Sequence, residues 1–223
     1  MGIAEKLALL TKEIPRNVKV IAVSKTIPVP LIMEAYRAGQ RAFGENKVQE
    51  LLQKQPQLPN DIEWHLIGHL QTNKVKAVVP VVNLIHSVDS LRLLSEIDRE
   101  ASNLKLIVGC LLQIRIAAEE TKYGMTYEDA VNLLSSDEYR NFTGIRVNGL
   151  MGIATFTEDA NQIRKEFSSL TRTFHLLKSQ FFESNDGFKE LSLGMSGDYK
   201  LGIAAGSTMV RIGTLIFGER DYQ

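Results

Sequence analysis

The chain is poor in the features that would tie it to an oxidising compartment, a membrane or a polyanion. It has one cysteine among 223 residues, so no intramolecular disulfide can form, and the apolar setting of Cys110 between Leu106 and Leu112 reads as core. Neither sign of charge is in excess: 26 basic and 26 acidic residues cancel, which leaves no global field to draw nucleic acid or an anionic membrane. No run approaches the ~20 apolar residues of a membrane span. The start, Met1-Gly2-Ile3-Ala4-Glu5-Lys6, lacks the basic-then-apolar pattern of a secretory leader. A cytoplasmic location is the expectation, with neither nucleic acid nor membrane as partner. Ser/Pro-rich linkers, low-complexity tracts and shifts of composition are missing too, so residues 1–223 are expected to form a single domain.

What is present is an alternation. Eight strand-like segments near 18–24, 41–44, 62–67, 83–87, 105–114, 145–153, 190–194 and 209–213 are separated by helical stretches. Segments without polar alternation, such as Leu106 to Leu112, suit a parallel sheet buried on both faces. Eight such units in one chain favour a closed (β/α)8 TIM barrel, an α/β fold, over an open sheet. Local signals agree. Pro28 and Pro30 open a helix over Leu31 to Ala38 that Gly39 stops, and Asp89 and Ser90 can cap Leu91 to Ile97. Between Thr157 and Phe182 a long helix carries Ile163, Phe167, Leu170, Phe174 and Leu177 on one stripe, which predicts packing.

Barrels present their reactive groups where strands end, and phosphate commonly binds after strands seven and eight. Strand one runs into Lys25. A lysine amine traps a carbonyl only when neutral, a state favoured by desolvation or a neighbouring cation; the alternative is that Lys25 marks where the chain reaches water. Strand seven ends in Gly194-Met195-Ser196-Gly197-Asp198, with a helix expected from Asp198 to Ala205. Ser196 and Gly197 at its start, with Gly213 and Thr214 after strand eight, could face a phosphate. Arg211 alternates with Gly213, so an inward orientation would bury its guanidinium, which then needs a ligand atom or a neighbouring acid. His65 and His69 stand four apart without a convincing helix or an acidic third ligand, so no metal site is expected. His65 either points into the barrel mouth or is a hydrogen-bonded structural residue. Gln71, Asn73 and Lys74 suggest a loop able to gate the mouth. Glu119, Glu120 and Lys122 read as a solvated rim after strand five.

Taken together, Ile21-Ala22-Val23-Ser24-Lys25, Phe43-Gly44-Glu45-Asn46, Trp64-His65-Leu66-Ile67-Gly68-His69-Leu70-Gln71-Thr72-Asn73-Lys74, Gly149-Leu150-Met151, Leu191-Ser192-Leu193-Gly194-Met195-Ser196-Gly197-Asp198 and Gly206-Ser207-Thr208-Met209-Val210-Arg211-Ile212-Gly213-Thr214 resemble the pyridoxal phosphate homeostasis protein family. The resemblance runs in order across almost the whole chain. It implies a barrel like the fold-type III domain of alanine racemases, with pyridoxal phosphate held as a Schiff base on Lys25. It further implies phosphate contacts from Ser196, Gly213 and Thr214, and Arg211 near the pyridine nitrogen. Asn46, His65, Met195 and Gly197 complete the expected cofactor-binding set. Gly152 and Gly202 depart from the family pattern, where bulkier residues and alanine are usual, and are expected to loosen local packing.

Three functions fit these residues. A racemase-like enzyme needs acid–base groups on both faces of the substrate carbon. In the racemases that this barrel resembles, the opposing tyrosine comes from an additional β domain, whereas here Gln223 ends the sequence ten residues after Gly213, and Tyr123, Tyr127, Tyr199 and Tyr222 cannot be assigned that role from spacing. A cofactor-free Schiff-base aldolase would also want a phosphate site. The preferred expectation is a monomeric, non-catalytic protein that buffers or delivers pyridoxal phosphate, with apoenzymes requiring it as partners, and so influences amino-acid and keto-acid balance.

Overall fold

The computed structural model describes residues 1–117 and 123–219. Eight strands, β1 (Lys19–Val23), β2 (Ala42–Glu45), β3 (Glu63–Leu66), β4 (Leu84–Val88), β5 (Val108–Gln113), β6 (Ile145–Met151), β7 (Glu190–Met195) and β8 (Met209–Ile212), pair in sequence order into a closed barrel. All pairings are parallel, and β8 returns to β1 with Val210 opposite Val20 and Arg211 opposite Ile21. The expected α/β TIM barrel is thus the observed one. Its helices are α1 (Ile3–Glu13), α2 (Val29–Arg37), α3 (Val48–Lys54), α4 (Val75–Val78) and α5 (Leu91–Asn103). They continue as α6 (Tyr127–Ser135), α7 (Asp137–Arg140), α8 (Ala160–Phe181), α9 (Tyr199–Ala204) and α10 (Thr214–Phe217).

The main apolar core lies between the strands and the surrounding helices. On α8 the predicted stripe, Ile163, Phe167, Leu170, Phe174 and Leu177, is the buried face, and each such side chain contributes about 1.5–3 kcal/mol on leaving water. Ser90 caps α5 by accepting from the Leu93 N–H. Cys110 is buried on β5, and the low-dielectric surroundings push its thiol pKa up. A second, smaller cluster of Leu84, Leu111, Met151 and Met209 packs apart from that core, on alternate positions of four strands that face the barrel axis.

Two strand boundaries differ from expectation. Residues 105–107 are not strand, because Lys105 adopts a left-handed φ of 57° and the Leu106 N–H returns to the Ala101 carbonyl, closing α5. That leaves Ile107 61% exposed, so its apolar character belongs to a helix exit. Likewise β6 stops at Met151. Nor do the two unusual glycines loosen the packing: a Cβ at Gly152 would stand 2.8 Å from Leu170 Cδ2, and one at Gly202 2.9 Å from the Leu193 carbonyl oxygen. Both are sites of close approach, with α9 lying directly on β7.

Gly149 is the tightest of these positions. Its φ is +154°, and a Cβ would sit 1.8 Å from the Glu190 carbonyl oxygen, within the pairing of β6 and β7. Gly149→Ala is therefore expected to destabilise the barrel by about 3 kcal/mol or more, read as a lowered urea midpoint in equilibrium unfolding.

Candidate functional site

Closure of the eight-stranded barrel brings together residues remote in sequence. Lys25, Asn46, Met195, Ser196, Gly197, Arg211, Gly213 and Thr214 all line one cavity of about 370 Å³, beyond the ends of β1, β2, β7 and β8. Val23, Ile67, Ile153 and Phe156 supply its apolar walls. Phe156 is 96% exposed at the lip, although its neighbour Thr155 is held through N–H and hydroxyl donation to the buried Glu166 carboxylate, both at 2.7 Å.

Lys25 stands on a backbone fixed from both sides. Ser24 is buried and donates its hydroxyl to Glu45 Oε1 at 2.7 Å. Thr26 takes a left-handed φ of 63°, unusual for a β-branched residue, and its N–H donates to Glu50 Oε1. One side chain joins these supports. The Lys54 ammonium donates to the Ser24 carbonyl at 2.7 Å, to Glu45 Oε1 at 2.8 Å and to Glu50 Oε1 at 2.6 Å, which uses all three of its N–H groups. Glu45 is fully buried, and its Oε2 has no hydrogen-bond partner among the described residues. Desolvation raises the Glu45 pKa, while Lys54 and Ser24 act in the opposite direction. Sequence reading noticed Glu45 only as part of a motif and missed Lys54; the faint signal was the Glu50/Lys54 spacing of four on α3.

Arg211 is buried at 4% exposure, with its side chain directed inward as the alternation along β8 predicts. Nη1 donates to the Ser192 carbonyl at 2.9 Å and to Ser192 Oγ at 2.6 Å, and Nη2 donates to the Gly152 carbonyl at 2.9 Å. Three of five N–H groups are thereby used; Nε–H and one N–H of Nη2 have no acceptor among the described residues. No carboxylate pairs with the guanidinium among those residues, although Asp198 lies near enough to raise its pKa. Burial is the larger effect and lowers it to about 10, so the group remains a cation at neutral pH.

Near the end of β7, Gly194 turns with φ +90° and the register against β8 shifts between Ser192 and Met195. Met195, Ser196 and Gly197 follow and line the cavity. The Met195 N–H donates to Asp198 Oδ1, and Ser196 Oγ accepts the Gly213 N–H at 3.1 Å, joining the ends of β7 and β8. Asp198 itself precedes α9, which is shorter than the helix expected from 198 to 205. A Cβ at Gly197 would meet nothing within 4 Å, so backbone there is open to a ligand. At Gly68 a Cβ would lie 2.3 Å from the Asn46 carbonyl oxygen; the loop after β3 rests on the backbone of Asn46.

His65 is the expected site residue that does not reach the cavity. It is 2% exposed inside the barrel, with Nδ1 2.9 Å from His86 Nε2; its position on β3 sets it below the mouth. His69 instead stacks on Tyr123 with ring centroids 4.1 Å apart and approaches Asp89 at 3.4 Å. Gln71 caps a short 3-10 turn over Thr72–Lys74, and neither that turn nor Gln71 lines the cavity. Glu119, Glu120, Lys122 and Tyr222 lie outside the described residues.

A closed parallel barrel with a lysine after β1 and turns bearing glycine and hydroxyl groups after β7 and β8, all lining one cavity, defines a class. The family described as alanine racemase, N-terminal domain, matches residues 2–221. Within it, the chain belongs to the pyridoxal phosphate homeostasis protein family. It is 40% identical over 206 residues to the pyridoxal phosphate homeostasis protein of Aquifex aeolicus, covering 92% of this chain and 88% of that protein. The solved structure of PipY of Synechococcus elongatus PCC7942 with PLP bound superposes with a TM-score of 0.89 at 38% identity, covering 97% of this chain and all of the other. Alanine racemase of Clostridium difficile 630 shares the fold, with a TM-score of 0.77 at 12% identity, and this chain covers 58% of its length.

Removing one partner of the buried charge network should be severe. Lys54→Met is expected to lower unfolding free energy by about 3–5 kcal/mol, and adding Glu45→Gln should restore part of it, as measured by denaturant titration. The buried histidines generate a pH dependence. Desolvation lowers the pKa of both His65 and His86 in the fold, whereas both titrate near ~6.5 when unfolded. Their contribution is complete above that value and is lost as pH falls below it, by up to about 1.4 kcal/mol per pH unit for each. Thermal unfolding from pH 7 to 5 should show a shallower decline for His86→Gln than for the unchanged protein.

Proposed function

We propose that this protein binds pyridoxal phosphate (PLP), holds it as a Schiff base on Lys25, and serves its intracellular homeostasis without catalytic turnover, thereby influencing amino-acid and keto-acid balance. One observation carries the reading: the cavity is lined by two cations, Lys25 and Arg211, two hydroxyl side chains, Ser196 and Thr214, and the glycines Gly197 and Gly213, with no carboxylate among its lining residues. Such a donor set fits a small anion bearing a carbonyl. The family relationship and the PLP in the PipY structure support it.

In this reading Ser196, Gly197, Gly213 and Thr214 hold the phosphate. Ser196 Oγ already accepts from the Gly213 N–H, which leaves its own proton to donate. The two unaccepted N–H groups of Arg211 would serve the pyridine nitrogen, where a fixed cation disfavours protonation. Asn46 and Met195, which line the same cavity, would contact the cofactor beside the apolar walls. When bound, the cofactor supplies an electrophilic aldehyde carbon that Lys25 captures reversibly.

The lack of turnover is supported by the lining itself. Racemisation needs a second acid–base group opposite Lys25, and Arg211 is the one other ionisable residue among those lining the cavity. Tyr199 donates to Glu13, Tyr127 to Gln180, and Tyr123 stacks on His69. We further take residues 1–223 as one domain, acting as a monomer in the cytoplasm and handing PLP to apoenzymes that require it. No helix among the described residues is long and apolar enough to cross a membrane.

The absorption spectrum of the purified protein tests the proposal. Incubation with PLP should give a near-ultraviolet or visible band that borohydride abolishes, with the pyridoxyl mass on the peptide containing Lys25. Lys25→Ala should lose the adduct. Ser196→Ala and Thr214→Val should keep it but bind PLP roughly ten- to a hundredfold more weakly, the worth of one charged hydrogen bond. A protein that stays colourless with PLP yet cleaves a phosphorylated aldol would favour the aldolase; one that racemises amino acids when loaded would remove the non-catalytic clause.

A further inference from the structure

Behind Arg211 the barrel interior holds a line of polar groups that the cavity does not use. Ser192 Oγ lies 3.1 Å from His86 Nδ1, across the barrel from β7 to β4, and His86 Nε2 lies 2.9 Å from His65 Nδ1. His65 Nε2 then points toward Glu63 Oε2, 3.8 Å away, and has no closer partner among the described residues. Glu63 is itself paired with Lys19 at 2.7 Å.

The direction of every proton in this line follows from the Arg211 end once each buried donor is required to have an acceptor. A guanidinium can only donate, so Ser192 Oγ accepts from Arg211. A serine oxygen can accept twice, but its own buried proton has no acceptor other than His86 Nδ1 among the described residues, so pairing that proton makes His86 Nδ1 an unprotonated acceptor. A neutral imidazole with a bare Nδ1 carries its proton on Nε2, so His86 donates to His65 Nδ1, and His65 in turn carries its proton on Nε2, facing the Glu63 carboxylate. Burial is the largest effect on both rings and favours their neutral forms, against the opposite pull of Glu63 on His65. The same carboxylate is held down to about 2 by His65 and Lys19, so it stays charged at the end of the line.

We propose that Ser192, His86 and His65 are positioning residues for Arg211: they form a hydrogen-bonded chain of single polarity across the barrel that holds the guanidinium with its two free N–H groups toward the cavity. Were either ring to flip or take the other tautomer, two donors or two acceptors would meet in a dry interior. The arrangement therefore fixes the orientation of Arg211 before any ligand arrives. The consequence for PLP rests on the function proposed above; the tautomers do not.

Two measurements separate these. In ligand-free protein with ¹⁵N-labelled histidine, His86 and His65 should both show Nε2–H tautomers at pH 7.5, and Ser192→Ala should perturb His86 while leaving exposed His175 unchanged. An Nδ1–H tautomer or an imidazolium at His86 or His65 would overturn the chain whatever the protein binds. With ¹⁵N-labelled PLP, the bound pyridine nitrogen should have an unprotonated shift in the unchanged protein. Ser192→Ala and His86→Phe should move that shift toward pyridinium and weaken binding about tenfold, one hydrogen bond's worth, whereas Ser192→Thr should keep the original shift. If PLP binds Lys25 normally and the nitrogen shift is the same in Ser192→Ala and His86→Phe, the positioning role is wrong while the binding function stands. Should PLP not bind the unchanged protein, the function fails and the tautomers alone decide the chain.

Discussion

The interior of a closed eight-stranded barrel admits no bulk water, and that exclusion governs how this molecule is built. Alternate residues of every strand must face inward, so a polar group placed there needs a partner supplied by another strand. Arg211 meets the requirement by bonding to Ser192 on β7 and to the Gly152 carbonyl just past β6. Those bonds consume part of the guanidinium and leave the remainder for the cavity. The apolar cluster of Leu84, Leu111, Met151 and Met209 packs elsewhere around the axis.

The same logic operates outside the barrel, behind Lys25. Lys54 gathers one backbone carbonyl and two carboxylates around a single ammonium, and the Thr26 backbone is held in a left-handed conformation by one of those carboxylates. A buried ion network of this kind is a weak source of net stability but is strongly destabilising to break. Its value here lies in placement. Ser24 and Thr26 are both tethered, so the residue between them enters the cavity from a fixed point.

Much of this was readable from the residues. Eight strand-like segments, some without polar alternation, implied a parallel barrel, and the positions of Lys25, Ser196, Arg211 and Gly213 at or near strand ends implied one mouth; the structure gathers all four around one cavity. What escaped were contacts between residues far apart in sequence. His86 and Ser192 are separated by 106 positions, and no local pattern distinguishes such a histidine from an ordinary core residue. Of the two places open to His65, the structure shows the hydrogen-bonded one beside His86; motif membership could not decide between them because it says nothing about depth along a strand. Residues 105–107 were misread because an apolar run looks the same whether it enters a sheet or leaves a helix; the left-handed Lys105 decides between them.

Cys110 gives the fold a built-in reporter. Its thiol is wholly buried on β5, and its surroundings disfavour the reactive thiolate. Alkylating reagents therefore reach it only through opening of the barrel wall. Because the sequence contains no other cysteine, the rate at which a single sulfur is modified becomes a clock for that opening, and a cysteine introduced on the surface would be the one fast-reacting thiol in the native molecule.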